Sequence, residues 1–156
     1  MSEKAGSFAE LLERNGALAY TNKGVSMMPL LREGRDIMII EKRSPPYRKY
    51  DAVLFLRDNG QYVLHRIMKV LDGEYYIIGD NCISGEMIRE DQILGVLTAV
   101  ERDGKRIGET DLLYRGYVRF WWAIFPLRRC WMRLRPCLGR IKRRIRKQIK
   151  GERTDG

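Results

Sequence analysis

The sequence predicts a small, mostly β domain built from antiparallel hairpins, with a short helix before it and a basic helical tail after it. Three observations predict this. Runs rich in β-branched and aromatic residues follow one another closely through the middle of the chain. Asn59-Gly60, Asp72-Gly73 and Asp103-Gly104 separate several of them, and such pairs suit tight hairpins. Helical spacing of apolar residues is confined to the two ends. The 156 residues suit one compact domain and an appendage, and a hydrophobic fraction of 44% is enough for a core.

The first element is a helix in "SFAELLERNG". Ser7 and Glu10 have capping-box spacing, Asn15-Gly16 ends the turn, and Phe8, Leu11 and Leu12 form its apolar face. "RDIMIIEK" reads as a strand. "RSPPYRKYD" reads as a rigid loop, because Pro45 and Pro46 block regular pairing. "AVLFLRDNGQYVLHRIMKVLDGEYYIIGDN" divides into three strands at its two turn signals. "QILGVLTAVERDGKRIG" continues the pattern. The boundary of the body is expected near residue 111, with the tail covering 112–156, because acidic residues stop there and basic and aromatic ones begin.

The net charge of +10 lies in that tail. Residues 1–111 carry 16 Lys+Arg and 18 Asp+Glu, whereas residues 112–156 carry 14 and 2. A neutral body with a basic tail points to a separate anionic partner for the tail, a membrane surface or a nucleic acid. His65 is the only histidine, and Cys82, Cys130 and Cys137 have no zinc-like spacing with it. No metal or other cofactor is expected, and an odd cysteine count fits a reducing compartment. No run reaches the ~20 apolar residues of a spanning helix, and the N-terminus lacks a signal-peptide core. The expected location is the cytoplasmic side.

"GVSMMPLLREG", Gly24 to Gly34, places a serine in a bend. Serine becomes a nucleophile only with a base to take its proton and donors for the oxyanion. His65 lies in the strand-like "YVLHRIMKV", where strict alternation would put Val63, His65, Ile67 and Lys69 on one face. A neutral imidazole can take the proton, and a carboxylate at its other nitrogen would fix its tautomer. Asp80 and Glu86 are both candidates for that carboxylate, and Lys69 is the competing base. Each feature alone is commonplace: a turn serine, a strand histidine, a "GDN" turn.

Their order is not. "GVSMMPLLREGRDIMII", "YDAVLF", "YVLHRIMKV", "YYIIGDN" and "ILGVLTAV" resemble, in sequence, the blocks of the signal peptidase and LexA-type serine peptidases. The resemblance spans Gly24 to Val100 and implies that family's antiparallel β-fold. It implies that Ser26 is the nucleophile and that its own N–H serves the oxyanion. His65-Arg66 matches the endoplasmic-reticulum and SipW-like branch, whose base is histidine rather than lysine. Gly79-Asp80-Asn81 matches that branch's "G-D-N" turn, and the acidic residue that follows at similar spacing is Glu86 instead of aspartate. The family's "G-D" after the serine block is here Gly34-Arg35-Asp36, one residue longer.

In the tail, Leu127, Trp131, Leu134, Leu138, Ile141, Ile145 and Ile149 form a helical apolar stripe amid arginine and lysine, interrupted by Pro136. Trp121, Trp122 and Trp131 suit a headgroup region. The expected function is therefore a serine endopeptidase of signal-peptidase type, cutting a precursor or leader peptide beside an anionic membrane on which the tail rests. The alternative is a binding module, non-catalytic or self-cleaving, of the same fold. The tail could instead pack as a structural helix or meet nucleic acid, which no recognised motif supports.

Overall fold

The computed structural model describes residues 7–135. These fall into two compact units, one ending at Val118 and one starting at Arg119. The first is mostly antiparallel β-sheet, as its turn chemistry and apolar runs predict.

Helix α1, Phe8–Asn15, starts at the expected capping box. Ser7 Oγ accepts from Glu10 N at 3.2 Å, and Glu10 Oε2 accepts from Ser7 N at 3.0 Å. Gly16 ends the helix and donates its N–H to Leu12 O. Eight strands follow: β1 Ala17–Thr21, β2 Ile37–Glu41, β3 Ala52–Leu56, β4 Tyr62–Val70, β5 Glu74–Ile78, β6 Glu86–Arg89, β7 Ile93–Arg102 and β8 Lys105–Gly108. They form one sheet in the order β1-β2-β7-β3-β4-β5-β6, and β8 pairs with β7. Every pairing is antiparallel. Asp103 and Gly104 both take positive φ, 51° and 73°, which matches the turn to the twist of its flanking strands.

β3 explains how a single sheet holds two cores. Its residues "AVLF" are all buried. Ala52 and Leu54 join Leu12, Met27, Leu31, Ile40, Leu64 and Leu97. Val53 and Phe55 join Tyr47, Ile67, Ile77 and Val96. Successive side chains point to opposite faces, so a continuous apolar run means that both faces are covered.

The loop between β1 and β2 carries Ser26 and is tied at both ends. Met27 and Leu31 sink into the first core. Asn22 N donates to Asp36 O, and Gly34 N donates to Asn22 O. Asp36 is fully buried; it accepts from Arg32 N at 2.8 Å and from Arg102 Nε at 2.9 Å. The Arg102 hydrogen bond holds the Asp36 carboxyl below its ordinary value, against the opposing effect of burial. The "G-R-D" step of the sequence is therefore an anchor for the serine loop.

β4 departs from the alternation expected of it. Arg66 pairs with Ile78 and Ile67 with Ile77, but the next partners are Lys69 and Tyr76. One extra residue is accommodated there, as in a β-bulge. Lys69 is exposed and out of phase with His65, which removes it as the competing base.

Helix α2 runs from Leu112 to Ala123, and residues 125–135 are helical again. Pro126 explains the break between them, since it has no N–H to continue the ladder. In the second unit the Trp122 and Phe125 rings lie 5.0 Å apart. The Arg128 guanidinium stacks 3.7 Å from the Trp121 ring centroid. Leu127, Trp131 and Leu134 are exposed along one side of the helix. The rest of the predicted stripe, and Pro136 with it, lies outside the described residues.

Ile40 is fully buried in the first core. Ile40→Ala is expected to cost about 2–5 kcal/mol, read as a lower urea midpoint with an unchanged slope.

Candidate functional site

The site gathers around the end of β5. The pairing of Arg66 with Ile78 continues one step to put Gly79 beside His65. A Cβ built on Gly79 would lie 2.7 Å from Ser26 O, 2.8 Å from Cys82 Sγ and 3.0 Å from His65 Nε2. Only a glycine lets these three groups come so close to one strand end. The Ser26 loop is clipped to the same turn. Asn81 N donates to Ser26 O at 2.7 Å, and Asn81 Nδ2 donates to Val25 O at 3.2 Å. The fold thus brings the Ser26 backbone and the His65 ring to one place. Ser26 is half-buried, and among the described residues no hydrogen bond joins its hydroxyl to His65.

Asp80 and Glu86 have different surroundings. Asp80 is fully buried and locked to Arg66, with Arg66 Nε to Asp80 Oδ1 at 2.8 Å and Nη2 to Oδ2 at 2.9 Å. Tyr117 also donates to Asp80 Oδ2 at 3.2 Å. Arg66 Nη1 donates to Tyr50 O and to the Tyr114 hydroxyl. Burial opposes charge on Arg66, but the Asp80 carboxylate outweighs it and holds the guanidinium protonated. Asp80 is therefore a structural partner of Arg66 in this geometry.

Glu86 opens β6, opposite Ile77. Its Oε1 lies 3.7 Å from His65 Nδ1. That exceeds a hydrogen bond, and Nδ1 is buried without a hydrogen-bond partner. Glu86 instead accepts from Arg57 Nε at 2.9 Å and Nη2 at 2.5 Å. Of the two candidate carboxylates, Glu86 is the one placed to turn onto the imidazole.

Burial of the ring pushes His65 below the ordinary histidine value of 6.5. Glu86 and, less strongly, Asp80 oppose the shift, and Arg57 reinforces it. The consequence is a neutral imidazole at pH 7, with Nε2 facing the Ser26 turn, able to accept a proton. Burial also raises the Cys82 thiol. Among the described residues no group of three histidine, cysteine or acidic side chains could hold a metal ion. An open groove of about 430 Å³ lies beside Glu86, lined by Arg57, Met87, Ile88 and Arg89 among others.

Several participants were not visible in the sequence. Cys82 lies within the "GDNC" turn, and only the turn itself hinted at it. Arg57 belongs to the β3–β4 turn and has no spacing relation to His65 or Glu86. Tyr114 and Tyr117 fall within the stretch expected to be tail, yet their hydroxyls bond the Arg66–Asp80 pair. No protein-family model matches the chain, and no curated protein matches it.

Replacing Gly79 by alanine forces a methyl group against the Ser26 backbone oxygen. Gly79→Ala is expected to destabilise the chain by about 1–3 kcal/mol through overpacking, measured by urea denaturation.

Proposed function

We propose that this chain is a serine endopeptidase of signal-peptidase type. Ser26 attacks a peptide carbonyl, and His65 Nε2 takes its proton and returns it to the leaving amine. Glu86 steadies the imidazolium from Nδ1, and the Ser26 N–H stabilises the oxyanion. The observation that carries this reading is the convergence of Ser26 O and His65 Nε2 on the bare face of Gly79. The chain supplies all of these groups itself, so the reaction requires no cofactor. The substrate class is a precursor or leader peptide, by resemblance of the serine, histidine and "GDN" blocks.

A second reading has two observations in its favour. Ser26 and His65 are not hydrogen-bonded to each other, and Glu86 is engaged by Arg57. A binding module of the same fold, non-catalytic or self-cleaving, would have this appearance. Resting hydrogen bonds in peptidases are often long and tighten on substrate, which favours the catalytic reading.

The proposed partner of the second unit is an anionic membrane surface at the cytoplasmic face. Leu127, Trp131 and Leu134 are exposed on a helix that also bears Arg128, Arg129, Arg133 and Arg135. No described helix is long and apolar enough to cross a membrane. Nucleic acid is the less favoured partner, because the exposed apolar side of this helix has no use against phosphates.

A fluorophosphonate probe is expected to label the wild-type chain at Ser26 and to leave Ser26→Ala unlabelled. The labelling rate should rise with pH to a plateau, with its midpoint below the ordinary 6.5, because burial lowers His65 and only the neutral ring is a base. Labelling that survives Ser26→Ala would end the catalytic assignment. Replacing Leu127, Trp131 and Leu134 together by glutamate should abolish co-sedimentation of the full chain with vesicles containing anionic lipid, and equal sedimentation would discard the membrane contact.

A further inference from the structure

The catalytic reading leaves one charged group beside the imidazole without a role. Arg57 belongs to the turn joining β3 to β4, where its N–H and carbonyl close the turn with Gln61 and Gly60. Its side chain reaches out to the first residue of β6. Nε and Nη2 donate to the two oxygens of Glu86 at 2.9 and 2.5 Å, and Nη1 donates to Gln61 Oε1 at 2.7 Å. This is the bidentate fork that arginine makes with carboxylates, and lysine cannot reproduce it. The same Oε1 that takes Nη2 is the atom 3.7 Å from His65 Nδ1.

Two donors therefore compete for one carboxylate oxygen. Neutral His65 leaves Glu86 to the arginine, and Nδ1 stays unsatisfied. Once the ring gains a proton it carries a charge, and its Nδ1–H has Oε1 as its nearest carboxylate oxygen. We propose that Arg57 is the positioning residue of this site: its fork holds Glu86 just off the imidazole and releases Oε1 toward Nδ1 when His65 becomes charged. The arrangement keeps the ring neutral at rest and stabilises it when it is protonated, as a general base requires. This proposal rests on the peptidase reading for its purpose, though not for its geometry.

The groups facing the ring are few. Glu86 comes from β6 and Arg57 from the β3–β4 turn. Asp80 and Cys82 come from the turn after β5, and Asp80 is bound to Arg66. Phe55 of β3 contributes an apolar wall, its ring centroid 6.2 Å from that of His65. The charge of Arg57 acts on the ring and lowers the proton affinity of His65.

Because His65 is the only histidine in the chain, its ring can be titrated by NMR in the full-length protein without assignment ambiguity. Arg57→Gln is expected to move the His65 midpoint to higher pH, since it removes a cation and frees Glu86 to meet Nδ1–H. Glu86→Gln is expected to move it lower. In the Arg57→Gln/Glu86→Gln double variant the rise caused by losing Arg57 should shrink, because no carboxylate remains to be released. Arg57→Lys keeps the charge without the fork and should give a smaller rise than Arg57→Gln; it also serves as the variant of record should Arg57→Gln fail to fold by circular dichroism. An unmoved midpoint in Arg57→Gln and Arg57→Lys, or the same rise with and without Glu86, would overturn the clamp. Fluorophosphonate labelling of the same samples separates the two ideas. A shifted midpoint without labelling upholds the clamp and removes the peptidase, whereas labelling with no shift does the reverse.

Discussion

The Arg66–Asp80 pair is the constraint on which the site depends. Both side chains are wholly buried, and taking two charges out of water is costly unless geometry and further hydrogen bonds compensate. Here they do. The fork of Arg66 meets both Asp80 oxygens, its remaining nitrogen meets the Tyr50 carbonyl and the Tyr114 hydroxyl, and Tyr117 adds a donor to Asp80. The pair thereby pins the turn after β5 to β4 at one point. His65 precedes Arg66, and Gly79 and Asn81 flank Asp80. His65, Gly79 and Asn81 are thus each one residue away from a locked one.

A second buried carboxylate plays a parallel part on the other side of the site. Asp36 holds the serine loop through Arg32 and Arg102, and Arg102 also caps the Leu30 carbonyl at 2.8 Å. Each pair anchors a segment that carries a group proposed to react, Asp36 the loop of Ser26 and Arg66 the strand of His65. Together they explain how an irregular loop and a turn can be held to a fixed separation, which catalysis by a serine and a base requires. Asn81 links the two systems directly, with its backbone on Ser26 O and its side chain on Val25 O.

The interior of the sheet was legible because its strands announce themselves. β3, β4, β5 and β7 are apolar enough to be recognised alone, and their turns carry Asn-Gly and Asp-Gly. β1 and β6 were not predicted. "ALAYT" and "EMIR" are short edge strands whose identity depends on the partner beside them. The bulge at Met68 was equally silent, so Lys69 looked as if it shared a face with His65. Ser26, His65, Asp80 and Glu86 could be named as candidates from their blocks, but the different surroundings of the two acids could not be foreseen. Those surroundings are made by Arg66 and Arg57, whose contacts span 14 and 29 positions of the chain. Tyr114 and Tyr117 were misplaced because composition, which changes near residue 112, marks charge rather than packing.

The position of β7 has a further consequence for how the molecule comes into being. It lies between β2 and β3, so neither has its second neighbour until residues 93–102 exist. The meander of β3 to β6 joins neighbours in the chain and can close locally, and so can β1 with β2. No strand pairing joins the two halves until β7 enters between them. Such distant pairing is paid for in loop-closure entropy and slows assembly. The serine loop sits in one half and the histidine strand in the other, so strand pairing unites them only through that late strand.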